Sequence, residues 1–396
     1  MIVQDDSATA LLAPPIFAER EWGNESSRQT APVPLPEPSW LRRGQIPALD
    51  GLRAIAVLLV LLTHCVQTSG FPEWPLLQYV SHKGTIGVDI FFVISGFLIT
   101  TLLVRELDRE GRVQLKRFYF RRFLRIMPAY VGLMIAVAVC QRAGYFELQS
   151  RDWIGAATYT SNFRYRPSWE LGHSWSLSVE EHFYLLWPFV LFAGGVAAGW
   201  RVGLACVAVC WLIRCAIAFG ISKILFPAGS CWADGAWTAS MAETWTFTRL
   251  DTITMGSLLA LGCRTMNGRA WLNRITTPPM LWGYFVTFCV SLGLMHSSKY
   301  TLCVAYSLNA LCIALLMWGL INSQGIGRRV LVNPLLKVIG LGSYSIYLWQ
   351  QLFIHPRHTG WIHLFPQNLV FALGAAYLSY RLIERPMNQF KDRVAV

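Results

Sequence analysis

Charge is what this sequence has least of. Of its 396 residues, 14% are Asp, Glu, Lys or Arg and 54% are hydrophobic, whereas soluble domains carry roughly 25% charged residues. Mean hydropathy is +0.40. This composition excludes an ordinary soluble chain and identifies a membrane protein. Acidic residues are the scarcer sign, 22 against 34 basic, for a net charge of +12. In a soluble protein that surplus suggests nucleic acid. In a membrane protein it first raises the question of which side of the bilayer the basic residues occupy. The ten cysteines lack any CxxC or zinc-like spacing, so they read as small buried hydrophobes and no metal site is expected. No repeat of fixed period is present. Residues 1–45 are polar and proline-rich and lack the basic start and apolar core of a signal peptide. They are expected to be a disordered cytoplasmic tail.

Ten apolar stretches follow, at 49–68, 85–104, 127–143, 177–198, 202–222, 250–263, 276–295, 300–322, 335–355 and 365–383. They predict an all-α, polytopic helical bundle of about ten transmembrane helices. With the tail placed in the cytoplasm, 20 basic residues fall in inside segments and nine in outside segments. This asymmetry predicts that both termini are cytoplasmic, and it explains much of the positive charge without nucleic acid as a partner. The expected organisation is a tail over 1–45, a membrane domain over 46–388 and a short cytoplasmic tail over 389–396. The expected location is the cell (inner) membrane, multi-pass, with the lipid bilayer as the first partner.

The first apolar stretch organises the rest. Arg53 and His64 are separated by ten residues; eleven steps of about 100° return to within about 20° of the same azimuth, roughly 16 Å further along the axis. Two ionisable groups thus share one face of a membrane helix. Such groups face a bundle interior or a wet cavity rather than lipid. On the second stretch, Asp89 and Gly96 lie seven apart, with small residues placed for close approach of a neighbouring helix. Asp89 is compatible either with a counter-ion role toward the first helix or with a helix start at the outer interface. The segment from Lys116 to Pro128 is the densest in basic residues, and Arg122 and Arg125 project from one side of a helix. Two readings are open: a basic amphipathic helix held by anionic headgroups, or a site where guanidinium forks grip phosphate. Further on, Ser176 or Ser178 is placed to cap a helix with Glu180 and Glu181 in its first turn. The same carboxylates, with His173 and His182, also form a plausible acceptor site at the bundle mouth. Arg249 and Asp251 make a second charged pair expected at that outer surface.

Five blocks in order carry a resemblance: Ala48 to Ala54 running on to His64, Gly87 to Gly96, Arg121 to Tyr130, Ser174 to Glu181 closing with Trp187-Pro188, and Arg249-Leu250-Asp251 running to Gly256. Weaker agreement continues in Ser343 to Trp349 and Tyr380 to Pro386. On these blocks the chain resembles the acyltransferase-3 family of integral membrane O-acyltransferases. The resemblance implies that His64 is the essential histidine with Arg53 its partner. It also implies that Arg122 and Arg125 belong to the acyl-donor motif and that Glu384 is a functional glutamate near the last helix. The chain departs from the pattern at Gln350-Gln351, where many members place a histidine followed by Gln-Pro. Some members also carry a soluble esterase-like domain after the last helix. With this chain ending at Val396, the membrane domain is expected to complete the activity.

The implied activity is transfer of an acyl group, acetyl first among them, from acyl-coenzyme A to a hydroxyl, with a glycan as the leading acceptor. Acetyl-coenzyme A is then a co-substrate, and no bound cofactor is expected. An alcohol is a poor nucleophile at neutral pH, and a buried histidine suits removal of its proton. Asp89 or Glu384 is a candidate to orient that ring; His64 as a base or as a transient acyl carrier both remain open. The rivals are the same chemistry on a macrolide, lipid or other small-molecule acceptor, and a non-catalytic exporter of glycan or lipid.

Overall fold

The computed structural model describes residues 46–394 except 82, 165–166 and 222–240. The expected tail over 1–45 lies outside the described residues, as do Arg42, Arg43, Arg166 and Lys223 of the charge count. Every regular element among the described residues is helical.

Helix α1 spans Pro47–Cys65, with Pro47 in its first turn and Asp50 beside its N-terminus. The fixed φ of proline and the positive end of the helix dipole suit both placements. Helix α2, Ile86–Glu110, is closed by Gly111 at φ 71°, the left-handed position that favours glycine. Helix α3 runs over Leu115–Arg142. The basic segment and the third apolar stretch are one continuous helix through Pro128.

Helix α4, Ser174–Ala218, joins the fourth and fifth stretches into 45 residues interrupted at Gly195, whose φ is 58°. At 1.5 Å per residue, about 68 Å of helix is roughly twice a bilayer core, so the break at glycine is what allows the chain to turn. The helix starts before the expected caps: Ser176 donates to the His173 carbonyl at 3.1 Å and Ser178 to the Ser174 carbonyl at 2.9 Å. Neither serine is an N-cap.

Beyond α4 come α5 (Thr246–Gly262), α6 (Met266–Ile275) and α7 (Pro278–Leu294), followed by α8 (Ser298–Asn322), which includes a π turn at Thr301–Ala305. They end with α9 (Pro334–Leu341), α10 (Ser343–Phe353), α11 (Gln367–Ser379) and α12 (Arg385–Val394). Each of the ten apolar stretches overlaps helix, the ninth being divided between α9 and α10 at Gly342. Five helices are long and apolar enough to cross a membrane: α1, α2, α3, α8 and the segment ending in α4. A sixth is added if α6 and α7, bent by 68°, form one broken span. The apolar windows of α2 and α8 are 67% buried and that of α4 only 17%, which makes the first two central and the last peripheral.

The closest seam joins α2 to α5. A Cβ built on Gly96 falls 1.8 Å from the Ile253 carbonyl oxygen, and one on Gly256 falls 2.0 Å from that of Val93. The glycines bring the two backbones into contact, the interface that small-residue spacing predicts. This close seam also carries Asp89, Ser95, Arg249 and Asp251 into the bundle interior.

Candidate functional site

Two cavities define the site. The first, about 100 Å³, is lined by His64 near the end of α1, by Val60 and Thr63 on the same helix, and by Val88, His173, Trp175, Tyr347 and Gln351. His64 Nδ1 lies 3.1 Å from Gln350 Oε1. The edge of Trp169 meets the His64 ring at a centroid distance of 5.3 Å, and Trp169 is itself fixed by its Nε1 donating to the Ile354 carbonyl at 2.8 Å. His173 is buried, and Gln351 Oε1 accepts from both its backbone N–H at 2.9 Å and its ring Nδ1 at 2.6 Å. The two consecutive glutamines of α10 thus hold two histidines.

The second cavity, about 230 Å³, is lined by Tyr119, Arg122, Phe123, Ile126, Met127, Glu181, Tyr184 and Leu185. The guanidinium of Arg122 lies 3.5 Å from the centroid of the Tyr184 ring. Arg53, Arg122 and Arg125 are near enough to repel one another, with Tyr184 among all three. Arg53 has Asp50 at 3.8 Å. Arg122 and Arg125 form no ion pair among the described residues, and Arg122 Nε is buried without a partner. Arg125 is exposed. Asp50, Glu180, Glu181 and Glu384 lie around the cluster, and guanidinium groups gathered in this way have the fork geometry that suits a phosphate.

Other candidates belong elsewhere than the sequence suggests. Asp89 pairs with Arg249, so it orients neither His64 nor Arg53. Glu384 takes a hydrogen bond from Ser345 and faces Arg125, so it does not orient His64 either; Gln350 occupies that place. Arg249 and Asp251 are buried rather than at an outer surface, 3% and 0% exposed. Arg249 lies over the Tyr306 ring at 4.1 Å. Asp251 receives two hydrogen bonds from Arg214, at 2.9 and 2.7 Å, and one from Ser307 at 2.9 Å. These charges neutralise one another where desolvation is severe, which leaves them a structural network across α2, α4, α5 and α8. Glu180 accepts from Ser95 and Tyr184, both at 2.9 Å, and Glu181 lines the arginine cavity. Both carboxylates therefore serve the arginine cluster rather than a bundle mouth. His182 lies apart, its Nδ1 2.6 Å from Thr246 Oγ1.

A cluster of Glu170, His355 and His358, with donor atoms within 4.8 Å of one another, adjoins Trp169. His355 Nδ1 accepts the backbone N–H groups of Arg357 at 3.0 Å and His358 at 3.2 Å. Its proton therefore sits on Nε2, aimed at Glu170 3.6 Å away. Burial, with His355 and His363 alongside, pushes the His358 imidazole below its ordinary range.

Residue spacing did not reveal Gln350 and Trp169 as contacts of His64, His173 as part of its cavity, or Arg214 as the partner of Asp251. Arg214 carried a readable signal, an arginine inside the apolar stretch 202–222. Gln350 showed only as a departure from a pattern.

The family model described as an acyltransferase domain matches residues 46–380. The peptidoglycan O-acetyltransferase OatA of Listeria monocytogenes (serovar 1/2a) is 28% identical over 387 residues, covering 88% of this chain and 56% of that protein. The O-acetyltransferase OatA of Staphylococcus aureus (strain NCTC 8325) is 28% identical over 383 residues, covering 87% of this chain and 57% of that protein. The chain spans a little over half the length of these curated relatives. No solved structure matches it.

Proposed function

The chain belongs to the acyltransferase-3 family, and on that premise we propose that it transfers acetyl from acetyl-coenzyme A to a hydroxyl of a cell-surface glycan. The observation that carries this reading is the convergence of Arg53, Arg122 and Arg125, the last two without ion pairs among the described residues, at the start of the helix that carries His64. Guanidinium forks suit the phosphates of coenzyme A. The acyl end then extends along α1 toward the His64 cavity. The relatives named for O-acetylation, one of them of peptidoglycan, support a glycan as acceptor over a macrolide or lipid.

In the proposed step, His64 takes the proton of the acceptor hydroxyl. The acceptor oxygen bonds to the acyl carbon, the carbon–sulfur bond breaks, and the electron pair leaves with the coenzyme A thiolate. The proposed setting is the cell membrane. There the ten apolar segments of the 46–388 domain cross the bilayer, both ends of the chain are cytoplasmic, and the donor enters from the cytoplasm.

Surface glycans from cells with and without the gene, compared by mass spectrometry, test the reaction. The expected difference is loss of one acetyl increment per modified sugar. His64→Ala is expected to reproduce that loss with the protein still in the membrane at its normal level. Near-normal turnover of purified His64→Ala with acetyl-coenzyme A would overturn the role given to His64. An exporter would show no consumption of acetyl-coenzyme A at all.

A further inference from the structure

We infer that Gln350 is a positioning residue that sets which nitrogen of His64 faces the cavity; the inference rests on the transfer reading above. Gln350 is fully buried in α10, where an uncharged polar side chain is retained only at a cost unless it bonds. Its one contact of that kind is Oε1 to His64 Nδ1, and its amide nitrogen has no hydrogen-bond partner among the described residues.

The neighbouring pair shows how such an amide is oriented. A backbone N–H can only donate, so the Gln351 atom that meets the His173 N–H must be oxygen. The ring Nδ1 of His173, 2.6 Å from that same oxygen, then carries the proton. Gln350, one residue earlier, has its Oε1 toward His64 Nδ1, and with oxygen in that place the ring Nδ1 carries the proton. A neutral imidazole protonated at Nδ1 keeps its lone pair on Nε2, the nitrogen left for the cavity. Reversal of the amide would place the proton on Nε2, where it cannot accept one from a hydroxyl.

Among the described residues no charged group forms an ion pair with the ring. Asp89 and Glu384, the two carboxylates whose positions suggest the task, are held by Arg249 and Ser345. A neutral amide fixes the tautomer without adding a buried charge. The Trp169 edge limits rotation of the ring but offers no acceptor for the Nδ1 proton.

The test uses the full chain in lipid nanodiscs, with acetyl-coenzyme A as donor and an N-acetylglucosamine tetrasaccharide as the acceptor probe. Gln350→Leu is expected to lower kcat by about 10- to 100-fold while leaving KM for acetyl-coenzyme A within about twofold. Gln350→Glu, which keeps an oxygen facing Nδ1, is expected to retain several-fold more activity than the leucine variant. Nitrogen-15 spectra of histidine-labelled protein, with the His64 signals assigned by their loss in His64→Ala, are expected to show a protonated Nδ1 and a bare Nε2. That pattern should be lost in Gln350→Leu. A wild-type spectrum with the proton on Nε2 would overturn the inference. So would unchanged kcat in Gln350→Leu, or a parallel fall in kcat and donor affinity marking a merely structural role. Should wild-type protein turn over no acetyl-coenzyme A, the transfer reading fails, and the spectra still decide the place of Gln350.

Discussion

Arg122 and Arg125 pose the sharpest question of chemistry at the residue scale, because charge alone and charge with geometry make different predictions. A helix held by anionic headgroups needs only positive charge, which lysine supplies. A pyrophosphate needs paired donors in a fixed fork, which lysine lacks. The Arg122 guanidinium carbon already lies 3.5 Å from the centroid of the Tyr184 ring, a contact that the compact ammonium of lysine does not reproduce. Alanine at either position is expected to raise KM for acetyl-coenzyme A by roughly 10-fold or more, the equivalent of losing one charge-assisted hydrogen bond. Lysine should recover only a fraction of that loss. Donor titration of purified variants measures both, and lysine variants matching wild type would return the segment to a membrane anchor. The sequence made the placing of Arg53 and His64 on one helix, and of Arg122 and Arg125 on another, legible because each depends on spacing along a single helix. It did not make the partners legible. Asp89 meets Arg249, and Asp251 meets Arg214, across separations of 160 and 37 residues, and helical periodicity says nothing about pairing between helices.

The contact between α2 and α5 decides where those partners meet. Gly96 and Gly256 face the opposing backbone, so an added methyl has no flexible side chain to push aside. Gly256→Ala is expected to destabilise the fold by about 1–3 kcal/mol or more, the range of overpacking, and to lower the thermal midpoint in detergent. Gly283 in α7 has nothing within 4 Å of its built Cβ. Gly283→Ala should therefore be neutral or slightly stabilising, since alanine is the better helix former. Equal midpoints for the two variants in a fluorescence-detected melt would remove the close seam as the cause. Apolar runs made the helices visible in the sequence, and the pairing of small residues made Gly96 visible. Breaks were harder to read. Pro128, a helix breaker by rule, lies within α3, whereas Gly195 interrupts α4 several residues before the Gly199-Trp200-Arg201 boundary implied by the apolar stretches. Both outcomes depend on how neighbouring helices support the local backbone, which no window of sequence contains.

Across the whole molecule, α1 links the two parts of the site, with Arg53 beside Arg122 and Arg125 and His64 in the other cavity. Arg53, eleven residues before His64, is separated from it by roughly 16 Å of helix, about half the hydrocarbon thickness. The arginine cavity is built where α3 enters the bundle after its basic first turns, Lys116 to Arg122. The His64 cavity is built where α1 ends and the segment leading into α4 begins. Basic residues concentrate in the proposed cytoplasmic segments, 20 against nine. The reading that follows has donor bound from the cytoplasmic side and acceptor reaching His64 from the other. Oriented proteoliposomes, with Arg122 on a known face, test that route. Acetyl-coenzyme A supplied only on the Arg122 side is expected to acetylate an N-acetylglucosamine tetrasaccharide supplied only on the opposite side, and reversing the two should give no product. A membrane-impermeant donor and acceptor are required so that leakage cannot imitate transfer. Product that forms only when both substrates share one face would refute the trans-bilayer route. It would leave His64 and Gln350 in place and move the acceptor entrance to the side of the arginines.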